Sequence, residues 1–136
     1  MITEDYVSFE TAKLLKEKGF DESTSMVYMP YGDLCKLNRY DSIRNSNYND
    51  ITKNYFEYTA PTLQMAMKWL REVHNLVVSV EPEINTDSEL DLFYVFKIFE
   101  IKDTLTQLIY NGYELCDSYE QACEMAIKYC LENLIN

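Results

Sequence analysis

Glycine is scarce in this chain. Gly19, Gly32 and Gly112 are the only three in 136 residues, so no glycine-rich loop is available to cradle a phosphate. Histidine occurs once, as His74; it lacks the local signatures that accompany a cysteine–histidine pair or a hydrolase triad. Near the end of an amphipathic stretch, its expected role is capping or packing. Basic residues are also few, 12 Lys and Arg against 23 Asp and Glu, for a formal net charge of −11. That balance opposes the counterion release that drives nucleic-acid binding, and it disfavours anionic membranes. No apolar run approaches the roughly 18 residues of a membrane span. The opening Met1-Ile2-Thr3-Glu4-Asp5 is acidic, unlike the basic start of a secretory signal. A cytoplasmic location follows as the expectation.

What is present is enough for a core: 47% of residues are hydrophobic and 14% aromatic, which excludes wholesale disorder and suits a single domain over residues 1–136. The four cysteines are not expected to form a disulfide framework. Cys123 and Cys130 are seven apart on one expected helix, about 10 Å along its axis, beyond the roughly 7 Å Cα separation a bridge tolerates. The same spacing makes them poor joint zinc ligands, so they read as core thiols.

Three blocks organise the chain. Residues 1–37 carry a helix and a hairpin. Ser8 caps a short helix that ends at Gly19, with Phe9, Ala12 and Leu15 on its inner side and Phe20 closing the end. The β-prone pieces Met26 to Met29 and Leu34 to Leu37 flank Pro30-Tyr31-Gly32-Asp33 as a hairpin. Residues 38–59 read as an irregular surface excursion. Asn38 to Tyr58 is rich in Asn, Asp, Ser and Tyr.

Residues 60–136 read helix, three strands, helix. Pro61 fits a first helical turn with Thr59 as cap, and Leu63, Ala66, Met67, Leu70 and His74 line one face. Strands follow at Leu76 to Val80, Leu92 to Phe99 and Leu105 to Tyr110; the second is apolar on both faces and should be central. Asn111-Gly112 has the composition of a tight turn. Ser118 and Gln121 form a capping box for a last helix, with Ala122, Cys123, Ala126, Cys130 and Leu134 inward. The expected fold class is therefore α+β, helices packed on an antiparallel sheet. Its element order from residue 60, α-β-β-β-α, resembles the double-stranded-RNA-binding domain. Over that segment five Lys and Arg face thirteen Asp and Glu, so RNA binding should fail on electrostatics.

Two features are candidate partner-binding sites. Tyr40, Tyr48 and Tyr55, with Tyr58, give the excursion large contact area at low entropy cost. The second is an acidic row, Glu81, Glu83, Asp87, Glu89 and Asp91, which an extended chain would present along one edge. Calcium is not indicated, because Leu92 stands where the calcium-loop pattern needs glycine and Ile98 where it needs glutamate. A protected, solvated hairpin edge is the structural role such a row can fill. No catalytic residue, metal site or cofactor is expected.

Tyr6-Val7-Ser8-Phe9-Glu10 through Phe20-Asp21, then Ala60-Pro61-Thr62 leading to Trp69-Leu70-Arg71-Glu72 and His74-Asn75, and finally Ser118-Tyr119-Glu120-Gln121-Ala122 form a pattern that resembles a family of small phage and prophage proteins of Bacteroides-type gut bacteria. The resemblance spans nearly the whole chain in three blocks and implies no activity, cofactor or catalytic residue. It implies an accessory gene product in the bacterial host cytoplasm. The leading expectation is a non-enzymatic protein-interaction module that binds a host or phage protein with a basic or neutral surface. The alternative is an anti-defence protein that sequesters a small molecule or nucleotide, with Trp69, Tyr94 and Tyr129 as stacking platforms. The Leu92 to Phe99 strand leaves room for a homodimer.

Overall fold

The structure, a computed structural model, describes residues 1–37, 57–84 and 91–136. It is an α+β fold whose contacts fall into two compact units, residues 1–66 with Asn136 and residues 67–135.

In the first unit, α1 (Phe9–Glu17) begins where the sequence places it. The Ser8 hydroxyl accepts a hydrogen bond from the Thr11 amide at 3.2 Å, which satisfies one of the orphan amides of the first turn. The end is a Schellman motif: the Gly19 amide donates to the Lys16 carbonyl and the Phe20 amide to that of Leu15. Gly19 sits at φ +92, a conformation that disfavours other residues. Strands β1 (Met26–Tyr28) and β2 (Leu34–Lys36) form the expected hairpin. Its turn is closed by a bond from the Met29 amide to the Asp33 carbonyl.

A third strand, β3 (Tyr58–Thr59), pairs antiparallel with β1, giving the sheet order β2-β1-β3. The last two residues of the expected excursion therefore belong to a sheet. Thr59 is fully buried in β3 and does not cap the next helix. That helix, α2 (Leu63–His74), is instead capped by Thr62, whose hydroxyl accepts from the Met65 amide at 3.1 Å while its carbonyl accepts from Ala66. The reason is tertiary. Thr62 bridges to Tyr6, and the Leu63 amide is taken by the Asp5 carbonyl, so the chain stays extended past Pro61.

In the second unit, β4 (Leu76–Ile84), β5 (Leu92–Lys102) and β6 (Leu105–Asn111) form an antiparallel sheet with β5 in the middle. The central place of the doubly apolar strand follows from its need for cover on both sides. Asn75, at φ 58, ends α2 in the left-handed conformation that Asn tolerates and leads directly into β4. In β6, Ile98 pairs with Tyr110 but Phe99 with Leu108, so Ile109 is an extra, bulged residue.

Asn111-Gly112 is not a reversal. The chain continues along β5: the Gly112 amide donates to the Phe96 carbonyl, and Cys116 then exchanges both backbone bonds with Tyr94. A Cβ on Gly112 would lie 2.9 Å from the Phe96 carbonyl oxygen, so this glycine serves close approach rather than a hairpin turn.

Helix α3 (Tyr119–Tyr129) packs on β4 and β5. Ser118 caps it by accepting from the Gln121 amide at 3.0 Å, and the Gln121 side chain reaches back to the Asp117 amide, also 3.0 Å. The box is thus shifted by one residue from its usual reciprocal partner. Replacing Ser118 with alanine is expected to cost about 1 kcal/mol of stability, measurable as a lower urea midpoint with unchanged slope.

Buried residues recur at Ala122 and Cys123, Ala126 and Ile127, Cys130 and Leu131, then Ile135. A four-residue repeat drifts by about 40° per step on an α-helix. The chain absorbs the drift by widening into a π-helical turn over Cys130–Leu134. Leu134, expected on the inner stripe, is only half-buried, and Ile135 takes that place.

Candidate functional site

The acidic row falls at one end of the second unit's sheet. Glu81 and Glu83 lie two apart on β4, so they share a face, and both are exposed. They stand opposite Val95 and Phe93 of β5. Glu81 is partly engaged: its carboxylate lies 3.4 Å from the Lys97 ammonium and accepts from the Ser79 hydroxyl at 3.5 Å. Such a solvated pair contributes little to stability. Asp91 is exposed and immediately precedes β5. Tyr40, Tyr48, Tyr55, Asp87 and Glu89 lie outside the described residues.

Between the two glutamates stands Pro82, paired with Tyr94. β4 is an edge strand, and a proline flanked by carboxylates makes a poor template for a further strand.

The opposite face of this same end is apolar and uncovered at its tip. Ile84 and Leu92 face each other across the β4–β5 ladder and are 69% and 50% exposed. Pro82 and Tyr94 continue that face, and Tyr119 meets Tyr94 edge-on with ring centroids 6.0 Å apart. The alternation Glu81-Pro82-Glu83-Ile84 is the signal that marks it. One ribbon end therefore presents Ile84 and Leu92 on one side and, beside Val95 and Phe93, the two carboxylates on the other.

The three aromatics proposed as stacking platforms are already engaged. Trp69 is buried with His74 edge-on at 4.7 Å. Tyr129 stacks on Tyr110 at 3.9 Å, and Tyr110 in turn on Phe96 at 5.5 Å. Tyr94 meets Tyr119.

Other chemistry is limited by burial. Among the described residues the buried His74 Nε2 has no hydrogen-bond partner, and desolvation holds the ring below the ordinary histidine pKa. Burial thus biases the ring toward its neutral form, and it packs against Trp69. Burial pushes the Cys123 thiol up to about 11 and Cys130 up to about 12. Cys116, whose sulfur lies 3.3 Å from that of Met125, is raised by burial, with Glu114 and Asp117 adding to the shift. Thiols held protonated in this way are poor nucleophiles and poor metal ligands. Among the described residues no three His, Cys, Asp or Glu side chains gather as a metal set.

Comparison of the chain with family models, with curated proteins and with solved structures gives no match.

The first unit holds a cleft of about 230 Å³ lined by Glu4, Tyr6, Thr24, Pro61, Thr62 and Met65 among others, smaller than the usual range for ligand pockets. It lies at the start of α2, where an anion could in principle be held. There the Leu63 and Met65 amides are already bonded to Asp5 and Thr62, and Glu4 adds a carboxylate.

Proposed function

We propose that this chain is a non-enzymatic protein-interaction module that uses the β4–β5 ribbon end to dock on a partner protein. Its resemblance to small phage and prophage proteins makes the partner a host or phage protein in a bacterial cytoplasm. The observation that carries the reading is the exposed Ile84–Leu92 pair, set back to back with Glu81 and Glu83. Contiguous exposed apolar side chains rimmed by polar ones mark recognition surfaces. A partner that fits offers an apolar floor for Ile84 and Leu92 and a lysine- or arginine-lined wall for the carboxylates.

Affinity capture from lysate of a Bacteroides-type host, with the wild type beside two variants, tests this reading. Ile84→Asp with Leu92→Asp removes the apolar contact and is expected to weaken capture at least tenfold, equivalent to about 1.4 kcal/mol. Glu81→Lys with Glu83→Lys is expected to slow association and flatten its salt dependence. Capture of the same partner with equal strength by wild type and both variants rules the ribbon end out. No observation favours the nucleotide-sequestering alternative, since its three platforms already pack against His74, Tyr119 and Tyr110.

A further inference from the structure

We infer that the outer edge of β6 is a self-association edge, through which two copies of this chain pair antiparallel and join their three-stranded sheets into one of six strands. β6 is the last strand of its sheet and, among the described residues, pairs with β5 alone. Leu105, Thr106, Gln107 and Leu108 are exposed on both faces of the strand, with Leu105 at 73% and Leu108 at 47%. An edge strand of this kind leaves backbone donors and acceptors open to another chain unless something blunts it.

The two edges of the sheet are treated differently by the sequence. β4 has Pro82, which has no amide hydrogen, between Glu81 and Glu83. β6 has no proline, and no charged residue occurs from Thr104 to Tyr113. The bulge at Ile109 bends the strand, so the regular stretch ends at Leu108 and the contact is short. A short contact forms a reversible dimer at the small end of the interface range.

Charge favours a second copy over a basic partner as the occupant. Two chains of net charge −11 repel each other over most approaches, but a twofold axis at β6 sets an uncharged strand against an uncharged strand. A foreign partner drawn by the acidic surface would be basic, and nothing on β6 attracts it. The symmetry is also closed. β6 against β6 uses one edge on each copy and leaves only the two blunted β4 edges outside, whereas β6 against β4 would propagate as an open filament.

Sedimentation velocity over a wide concentration range, at low and high salt, tests the inference on the full chain. The wild type is expected to double its mass as concentration rises, and to do so more readily at high salt, because salt screens the repulsion between like-charged copies. Docking of a basic partner at the ribbon end should respond to salt in the opposite sense, which separates the two readings. Leu108→Glu and Thr106→Pro, both at exposed positions, are expected to stay monomeric with unchanged far-UV circular dichroism. Ile84→Glu, at the other end of the sheet, should dimerise as the wild type does. A wild type that is monomeric at every concentration and salt overturns the inference. So does a dimer that survives Leu108→Glu, or one that Ile84→Glu abolishes.

Discussion

Replacing Phe20 with alanine is expected to destabilise the first unit by about 3–5 kcal/mol, the range for removing a fully buried aromatic side chain. Phe20 has no exposed surface, and neither does Leu15. The two are joined by the Phe20 amide to Leu15 carbonyl bond that ends α1. A Schellman end commonly brings an apolar residue after the glycine onto one in the last turn. Loss of the ring therefore removes core volume and the apolar half of the helix stop together. Against a typical domain stability of 5–15 kcal/mol, the variant should show a much lower urea midpoint by circular dichroism. Amide exchange in α1 should accelerate most. A change below about 1 kcal/mol would mean that the Phe20 ring does not lie in the core.

Alkaline pH should act on the second unit through two thiols. The folded-state values of about 11 for Cys123 and about 12 for Cys130 lie above the ordinary 9.0. A group raised on folding contributes stability that is complete below its unfolded pKa and is lost as pH rises through the folded one. Between pH 9 and 11 the unfolded chain therefore releases protons that the folded chain retains. Each thiol then contributes a slope of up to about 1.4 kcal/mol per pH unit, or up to about 2.7 for the two, steepest near the middle of that window. Urea denaturation at a series of pH values should show this fall. The double variant Cys123→Ala with Cys130→Ala should be less stable at pH 8 yet distinctly flatter above pH 9. Equal slopes for the two proteins would remove the thiols as its cause.

Local chemistry made much of the fold legible. Ser8 with Gly19 bounded α1, Ser118 with Gln121 opened α3, and the β-branched and aromatic runs after Leu76, Leu92 and Leu105 became β4, β5 and β6. What escaped depended on partners distant in sequence. Thr59 and Thr62 have the same capping chemistry, and only pairing with β1 and the Asp5 carbonyl decides between them. Asn-Gly suits a turn, yet at Gly112 the decisive fact is a backbone oxygen of Phe96. Leu92 opens a run that reads as continuous core. The register that sets it opposite Ile84, beyond the end of cover, is visible only in the ladder. Of the acidic row, the pair at Glu81 and Glu83 was readable because strand alternation is a local rule.

The pairing of Trp69 with His74 also makes the molecule its own reporter. It has one indole and twelve phenols, and the indole lies buried in the second unit, edge-on to the only imidazole. Emission excited at the red edge of the absorption band therefore comes from a single site, while tyrosine absorbance averages over both units. Followed side by side through one denaturation, the two signals give the second unit's own transition beside that of the whole chain, without an added label.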